Sequence, residues 1–232
     1  MDQLAALGYG LAYDAVVRGF RPHEELIEEI VAGIGRAVPR GATPSSMRVL
    51  DVSCGTGTLA RRLARAGYDV VGIDSVERLV DIARGTPSEG LGDRLIFHHV
   101  DLTRDQVPGA GRYNVLVSVH TLYWHPDPER FLAGCLRALA PGGYALFLTY
   151  TRAAQVMSTF RAVRQHAGLA DGVRALRWLI PTAVFEALRG GRRRYLSPVQ
   201  FHALLRDAGF TVLESTRTFL GQISLMAWTR VA

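Results

Sequence analysis

Short apolar runs alternate with longer amphipathic ones along most of the chain. Met47-Arg48-Val49-Leu50, Asp69–Ile73, Arg94–Val100, Tyr113–Val119 and Tyr144–Tyr150 read as strands. Between them lie segments of helical period. Thr58–Gly67 has leucines at helical spacing and a glycine stop, and Glu77–Arg84 follows the second strand. A further helix opens at Pro126-Asp127-Pro128-Glu129, carries Leu132, Leu136 and Leu139, and is ended by Pro141-Gly142-Gly143. Residues 1 to about 38 also read as helical. Leu26, Ile27, Ile30, Val31 and Ile34 form one face there, and Glu24, Glu25, Glu28 and Glu29 lie mostly on another, the pattern of a helix packed on a sheet. At the far end Ser197-Pro198-Val199-Gln200 opens a helix that Gly209 stops. Phe210–Leu220 and Ile223–Val231 are two strands joined at Gly221-Gln222, a connection short enough to require an antiparallel hairpin.

The chemistry gathers where the first strand meets the first helix after it. The stretch reads Asp51-Val52-Ser53-Cys54-Gly55-Thr56-Gly57. Strand, glycine turn and helix together let a ligand lie against the main chain, because glycine has no Cβ. On spacing alone this is equally an ordinary tight turn. The strand ends in a carboxylate, Asp51, and the second strand ends in another, Asp74, some twenty residues beyond the loop. A carboxylate there is placed to accept hydrogen bonds from ribose hydroxyls. The glycine spacing differs from the Gly-x-Gly-x-x-Gly that suits a pyrophosphate, so a nucleoside ligand without phosphates fits better.

Val49-Leu50-Asp51-Val52-Ser53-Cys54-Gly55-Thr56-Gly57 resembles the first motif of the class I S-adenosylmethionine-dependent methyltransferases, and Val71-Gly72-Ile73-Asp74-Ser75 resembles their acidic second-strand motif. The likeness runs to the C-terminus. It implies an α/β fold, a doubly wound, mostly parallel sheet of seven strands, six parallel and one antiparallel, of the Rossmann-like methyltransferase type. It implies S-adenosyl-L-methionine as cofactor and a small-molecule substrate. Asp51, Ser53, Gly55, Thr56, Gly57, Asp74 and Ser75 then become cofactor-binding candidates. By the same likeness Asp101 and Leu102 face the adenine, backbone carbonyls near Ser118 receive the amino group, and Tyr13 reaches the methionine carboxylate or the substrate. From the residues alone, Asp101 is equally a cap for a short helix from Thr103, and Tyr13 a packed tyrosine. Ser53 stands where the family most often has glycine, and Asn114 where it usually has aspartate.

His120, just past the fourth strand, is the candidate for the chemistry. A histidine near neutral pKa suits removal of a proton from a phenol or hydroxyl, and its loss should remove a limb of the rate–pH profile near neutrality. The alternative is a histidine bonded to a neighbouring loop. Tyr123 and Trp124 wall the pocket or simply pack. O-methylation is the leading activity, with C- and N-methylation close behind. The rivals are a cofactor-binding scaffold or a non-methylating enzyme that uses the bound cation electrostatically and, more weakly, a dehydrogenase.

The chain's 232 residues suffice for one domain: a helical cap over 1–40, a cofactor-binding core over 47–150, a helical basic lid insertion over 151–196, and a helix with a hairpin over 197–232. There is no lysine. Residues 151–196 hold nine arginines against Asp171 and Glu186, a net +7 where the whole chain is +6. The basicity is therefore local. Three roles compete for it: a lid over the substrate, a patch for peripheral membrane contact or a homodimer, and a solvated arginine face. No aromatic-and-basic alternation accompanies it, and Ser118-Val119-His120-Thr121 lacks the Asn/Asp-Pro-Pro-aromatic motif of DNA-base enzymes, so no nucleic-acid partner is expected. No further histidine or cysteine falls at metal-ligand spacing beside His98 and His99, so no metal is expected. Cys54 and Cys135 read as free thiols, and with no signal-peptide pattern and no spanning run the expected location is cytoplasmic.

Overall fold

β1 (Arg48–Val52), β2 (Asp69–Asp74), β3 (Leu95–His99), β4 (Tyr113–Val119), β5 (Leu139–Tyr150), β6 (Phe210–Thr218) and β7 (Ser224–Val231) form one sheet in the order β3-β2-β1-β4-β5-β7-β6. The computed structural model describes residues 20–37, 42–123, 125–152, 155–188, 195–220 and 222–231. The pairings β1·β2, β1·β4, β2·β3 and β4·β5 are parallel, whereas β7 runs antiparallel to both β5 and β6. The expected six parallel strands and one antiparallel strand are therefore present.

Side chains alternate across a strand, so a sheet covered on both faces buries consecutive residues. Val49 and Leu50 of β1 are both fully buried, and they belong to different cores. On one face Val49, Val115 and Leu146 pack with α1 (Arg21–Ala37), α2 (Thr58–Arg65) and α3 (Glu77–Gly85), through Ile30, Leu63 and Val80. On the other, Leu50, Leu116 and Phe147 pack with α4 (Pro128–Ala138) and α7 (Pro198–Asp207), through Leu132 and Phe201. Helix starts follow the chain's polar punctuation. Asp127 accepts from Arg130 N at 2.9 Å with Pro128 in the first turn, and Ser197 and Gln200 form a reciprocal capping box.

Two expectations are adjusted, at Thr103 and at Leu139–Gly143. Of the residues 1–38 expected to be helical, 21–37 form α1, and residues 1–19, with Tyr13, and 38 lie outside the described residues. No helix starts at Thr103. Asp101 instead closes a turn, accepting from Thr103 N at 3.0 Å and Thr103 Oγ1 at 2.6 Å. Leu139–Gly143 is an irregular lead-in to β5 rather than a turn before it, with a register shift opposite Tyr113–Val115. Asn114 keeps a structural task. Its Oδ1 accepts from Arg48 N at 2.8 Å, so an acceptor is all the position requires, and the amide oxygen serves in place of the family's carboxylate.

Two helices joined at Gly168 follow β5, α5 (Val156–Ala167) and α6 (Leu169–Leu188). Thr159, Val163, Ala175 and Leu179 are buried. His166 Nε2 lies 2.9 Å from Glu25 Oε2 and ties α5 to α1, while Thr218 Oγ1 donates to Glu29 Oε2 at 2.8 Å and ties α1 to β6. α1 also lies close on β7: a Cβ on Gly33 would stand 2.5 Å from the Trp228 ring, so only glycine permits that approach.

Candidate active site

The strand order reverses between β1 and β4, and the crevice at such a reversal is where open α/β sheets receive ligands. Here it opens into a cavity of about 330 Å³. Its wall includes Asp51, Ser53, Gly55, Thr56, Asp74, Ser75, Asp101, Leu102 and His120, nine of the residues picked out from the sequence. Gly57 and Ser118 are not on the wall. Gly57 is the residue before α2, and its Cβ would stand 2.5 Å from Phe97. Ser118 is buried one residue short of the opening, where Val119, His120 and Thr121 take its expected place.

The glycine loop is shaped by its backbone. Ser53, Gly55 and Gly57 have φ of 59°, 56° and 81°, all left-handed, which explains why glycine is usual where Ser53 stands. A Cβ at Gly55 would meet nothing within 4 Å, so this is the point where the loop lies open to the cavity. Asp74 braces the loop from the second strand: Oδ2 accepts from Gly55 N and Oδ1 from Val76 N, both at 2.9 Å. Each oxygen keeps a lone pair for a further donor.

The electrostatics are those of a site built for positive charge. Burial, then the neighbouring Asp74 charge, pushes the Asp51 carboxyl up to about 8, against a hydrogen bond from the Ala60 backbone. Asp51 Oδ2 is buried without a hydrogen-bond partner. Such an atom is costly unless a donor or cation comes to it. Burial also raises Asp74, against the bonds from Val76 and Gly55. An orphaned carboxylate oxygen, a second carboxylate with spare acceptor capacity and an open backbone cradle fit a cationic nucleoside such as S-adenosylmethionine.

His120 requires a correction. Burial, then repulsion from His23, pushes its pKa down to about 3. A limb near neutrality is therefore not its signature, because the desolvated ring resists protonation until well into acid. Its Nε2 lies 2.9 Å from Ser224 Oγ, and its ring stacks on Tyr150 at 3.8 Å between centroids, with φ at 54°. Tyr123 sits edge-on to Tyr150 within the same aromatic group. Trp124 lies outside the described residues.

Several functional positions escaped the sequence reading. His23, Leu26, Ile27 and Ile30 of α1 line the cavity. The apolar face of α1 signalled burial, but its spacing could not separate sheet contact from ligand contact. Arg61 is buried and reaches two carbonyls at 2.6 Å, Thr56 O in the loop and Ala83 O in α3, with its guanidinium over the Phe97 ring. On a helix rich in arginine nothing set it apart. No described residue of α5 or α6 is part of the cavity wall, so the lid role draws no support from the lining.

Sheet order, cavity position and acidic strand tips together define a doubly wound nucleoside-binding domain. The methyltransferase domain family matches residues 23–215, and the chain belongs to it, as a class I S-adenosylmethionine-dependent methyltransferase domain. It is 33% identical over 115 residues to a ubiquinone biosynthesis O-methyltransferase of Aromatoleum aromaticum, covering 50% of this chain and 49% of that protein. A relative of the same name from Acinetobacter baumannii is 25% identical over 181 residues, 78% of this chain and 70% of that one. The chain spans about half the length of the first of these curated relatives. Among solved structures it resembles magnesium protoporphyrin IX methyltransferase from Synechocystis PCC 6803 with SAH bound, at a TM-score of 0.62 and 18% identity over 91% of this chain and 84% of that one. The [4+2]-cyclase SpnF has the same fold at a TM-score of 0.60 and 20% identity over 87% and 79%.

Proposed function

We propose that the chain transfers the methyl group of S-adenosylmethionine to a hydroxyl oxygen of a small, largely apolar acceptor. One observation carries this reading: a single cavity is lined both by the carboxylates Asp51 and Asp74 and by the apolar Leu26, Ile27 and Ile30, with His23, His120 and Thr121 among its polar groups. When bound, the donor supplies a methyl group on positively charged sulfur, already activated for in-line displacement. What remains for the chain is to align the acceptor and accept a hydrogen bond from its hydroxyl, whose proton passes on to solvent as the O–CH3 bond forms and the C–S bond breaks. Alignment can supply much of the rate.

In this reading Asp74 accepts from the ribose hydroxyls, and Asp51 takes the carboxylate form beside the donor's positive charge. Asp101 and Leu102 border the adenine, Gly55 and Thr56 lie along the donor, and Tyr13 meets its methionine end. His120 is a neutral imidazole that accepts a hydrogen bond from the acceptor hydroxyl, its ring oriented by Ser224 and Tyr150. The apolar residues of α1 suit an aromatic or alkyl body. The O-methyltransferase names of the relatives support oxygen over carbon or nitrogen.

The test supplies methyl-labelled donor with phenols, carboxylic acids, amines and activated carbons, and follows label into product by mass spectrometry. Label on a hydroxyl oxygen is the expected result, and label only on nitrogen or carbon overturns the oxygen assignment. Tight donor binding with no transfer favours the second reading, a donor-binding protein that does not methylate. The SpnF neighbour gives that reading its specific support, since a cyclase is built on the same fold.

A further inference from the structure

α6 buries one face and leaves another, equally apolar, in solvent. Asp171, Gly172, Ala175 and Leu179 are buried. Leu169, Val173 and Ile180 are 64%, 48% and 52% exposed. Those three fall within about 40° of one another at 100° per residue, so they form one stripe along the helix. On α5, Met157 is 61% exposed and shares its outer face with Arg161 and Arg164 at helical spacing. Arg177 flanks the stripe on α6. None of Arg161, Arg164 and Arg177 makes an ion pair among the described residues.

We propose that the outer face of the α5–α6 hairpin is a docking surface for an anionic phospholipid bilayer. An exposed apolar stripe flanked by arginine is the makeup of a helix that lies in a membrane interface. Charge selects this occupant. Residues 151–196 carry a net +7 and the hairpin itself a net +2, so a second copy meeting it face to face would bring like charge to like. Of the carboxylates of α1, Glu25 is engaged with Arg21 and His166, Glu28 with Arg62 and Glu29 with Thr218, which leaves Glu24 alone on that helix to meet the arginines of a second copy. No described helix is long and apolar enough to cross a membrane, so the contact is one of lying on the surface. The surface is separate from the cavity wall and does not depend on which atom is methylated.

Vesicle flotation of the full chain tests this. Vesicles of mixed phosphatidylglycerol and phosphatidylcholine should carry the protein up at low salt, and vesicles of phosphatidylcholine alone should not. Replacing Arg161, Arg164 or Arg177 by glutamine should weaken partition about fivefold each. Val173→Asp with Ile180→Asp should abolish it while melting temperature and donor binding stay at the wild-type values. Equal flotation on both vesicle types, or flotation unchanged in these variants, overturns the proposal. So does a dimer in sedimentation that Val173→Asp dissociates, which would make the stripe an interface between copies.

Discussion

The two ends of the cavity are built in different ways. Most of the proposed donor end comes from a continuous piece of chain, Asp51 to Asp74, in which a carboxylate on one strand fastens the loop after its neighbour, and Asp101 and Leu102 join it from beyond β3. The proposed acceptor end is assembled from α1 and the turn after β4. Its groups are held by contacts between residues distant in sequence, such as His120 with Ser224, 104 positions apart. The first end is local and rests on backbone hydrogen bonds, so a short motif specifies it. The second rests on side chains brought together by the whole fold, and it can change without disturbing the first.

If that division holds, substitutions at the two ends should separate donor affinity from turnover. The largest effect is expected at Arg61, beneath the donor end. Arg61→Leu strands the Thr56 and Ala83 carbonyls and should cost about 2–5 kcal/mol of stability, measured by urea unfolding, with donor affinity falling too. His120→Ala should lower kcat by about a hundredfold, with donor affinity little changed by calorimetry. Its profile should lack a neutral limb, since the imidazole of the native protein gains a proton only near pH 3. An equal loss of donor affinity would erase the distinction between the two ends.

Asp74→Ala should act in the opposite sense, weakening donor binding by about 1–3 kcal/mol while leaving acceptor KM near its native value. Asp51 gives a subtler test. Its carboxyl sits at about 8 without a bound cation, so it is largely protonated at neutrality and binding a cation expels the proton. Donor affinity should therefore rise with pH and level off above about 8, by at most about tenfold per unit. The uncharged thioether product should show a shallower slope, and Asp51→Asn should flatten both. For stability without donor the sign is reversed. A carboxyl raised in the folded state stabilises most below its unfolded value, and that contribution is lost as pH climbs through about 8. The smallest effect is Ser53→Gly. It relieves a left-handed serine at φ 59° and should stabilise by about 0.5–1 kcal/mol, measured by urea unfolding.

The same division explains what could be read from the sequence. The seven strands, the antiparallel seventh and the carboxylates at two strand tips were all legible, because they follow from local period and short spacing. The turn at Asp101 was not, because a cap and a turn offer the same aspartate to the same backbone donor. The lead-in to β5 was hidden by Pro141-Gly142-Gly143, whose breaker residues mask a bulge. His23 and Arg61 escaped for different reasons. One sits on a face whose apolar period has two explanations, and the other does its work on carbonyls, which leave no trace in residue spacing.

The contact of Gly33 with Trp228 has a bearing on how the protein is made. α1 leaves the ribosome well before β7, on which it comes to rest, is translated. The nucleoside cradle over Asp51–Asp74 can take shape while synthesis continues, but α1 cannot seat until β7 has emerged. In the proposed reading, selectivity for the acceptor follows only from that docking.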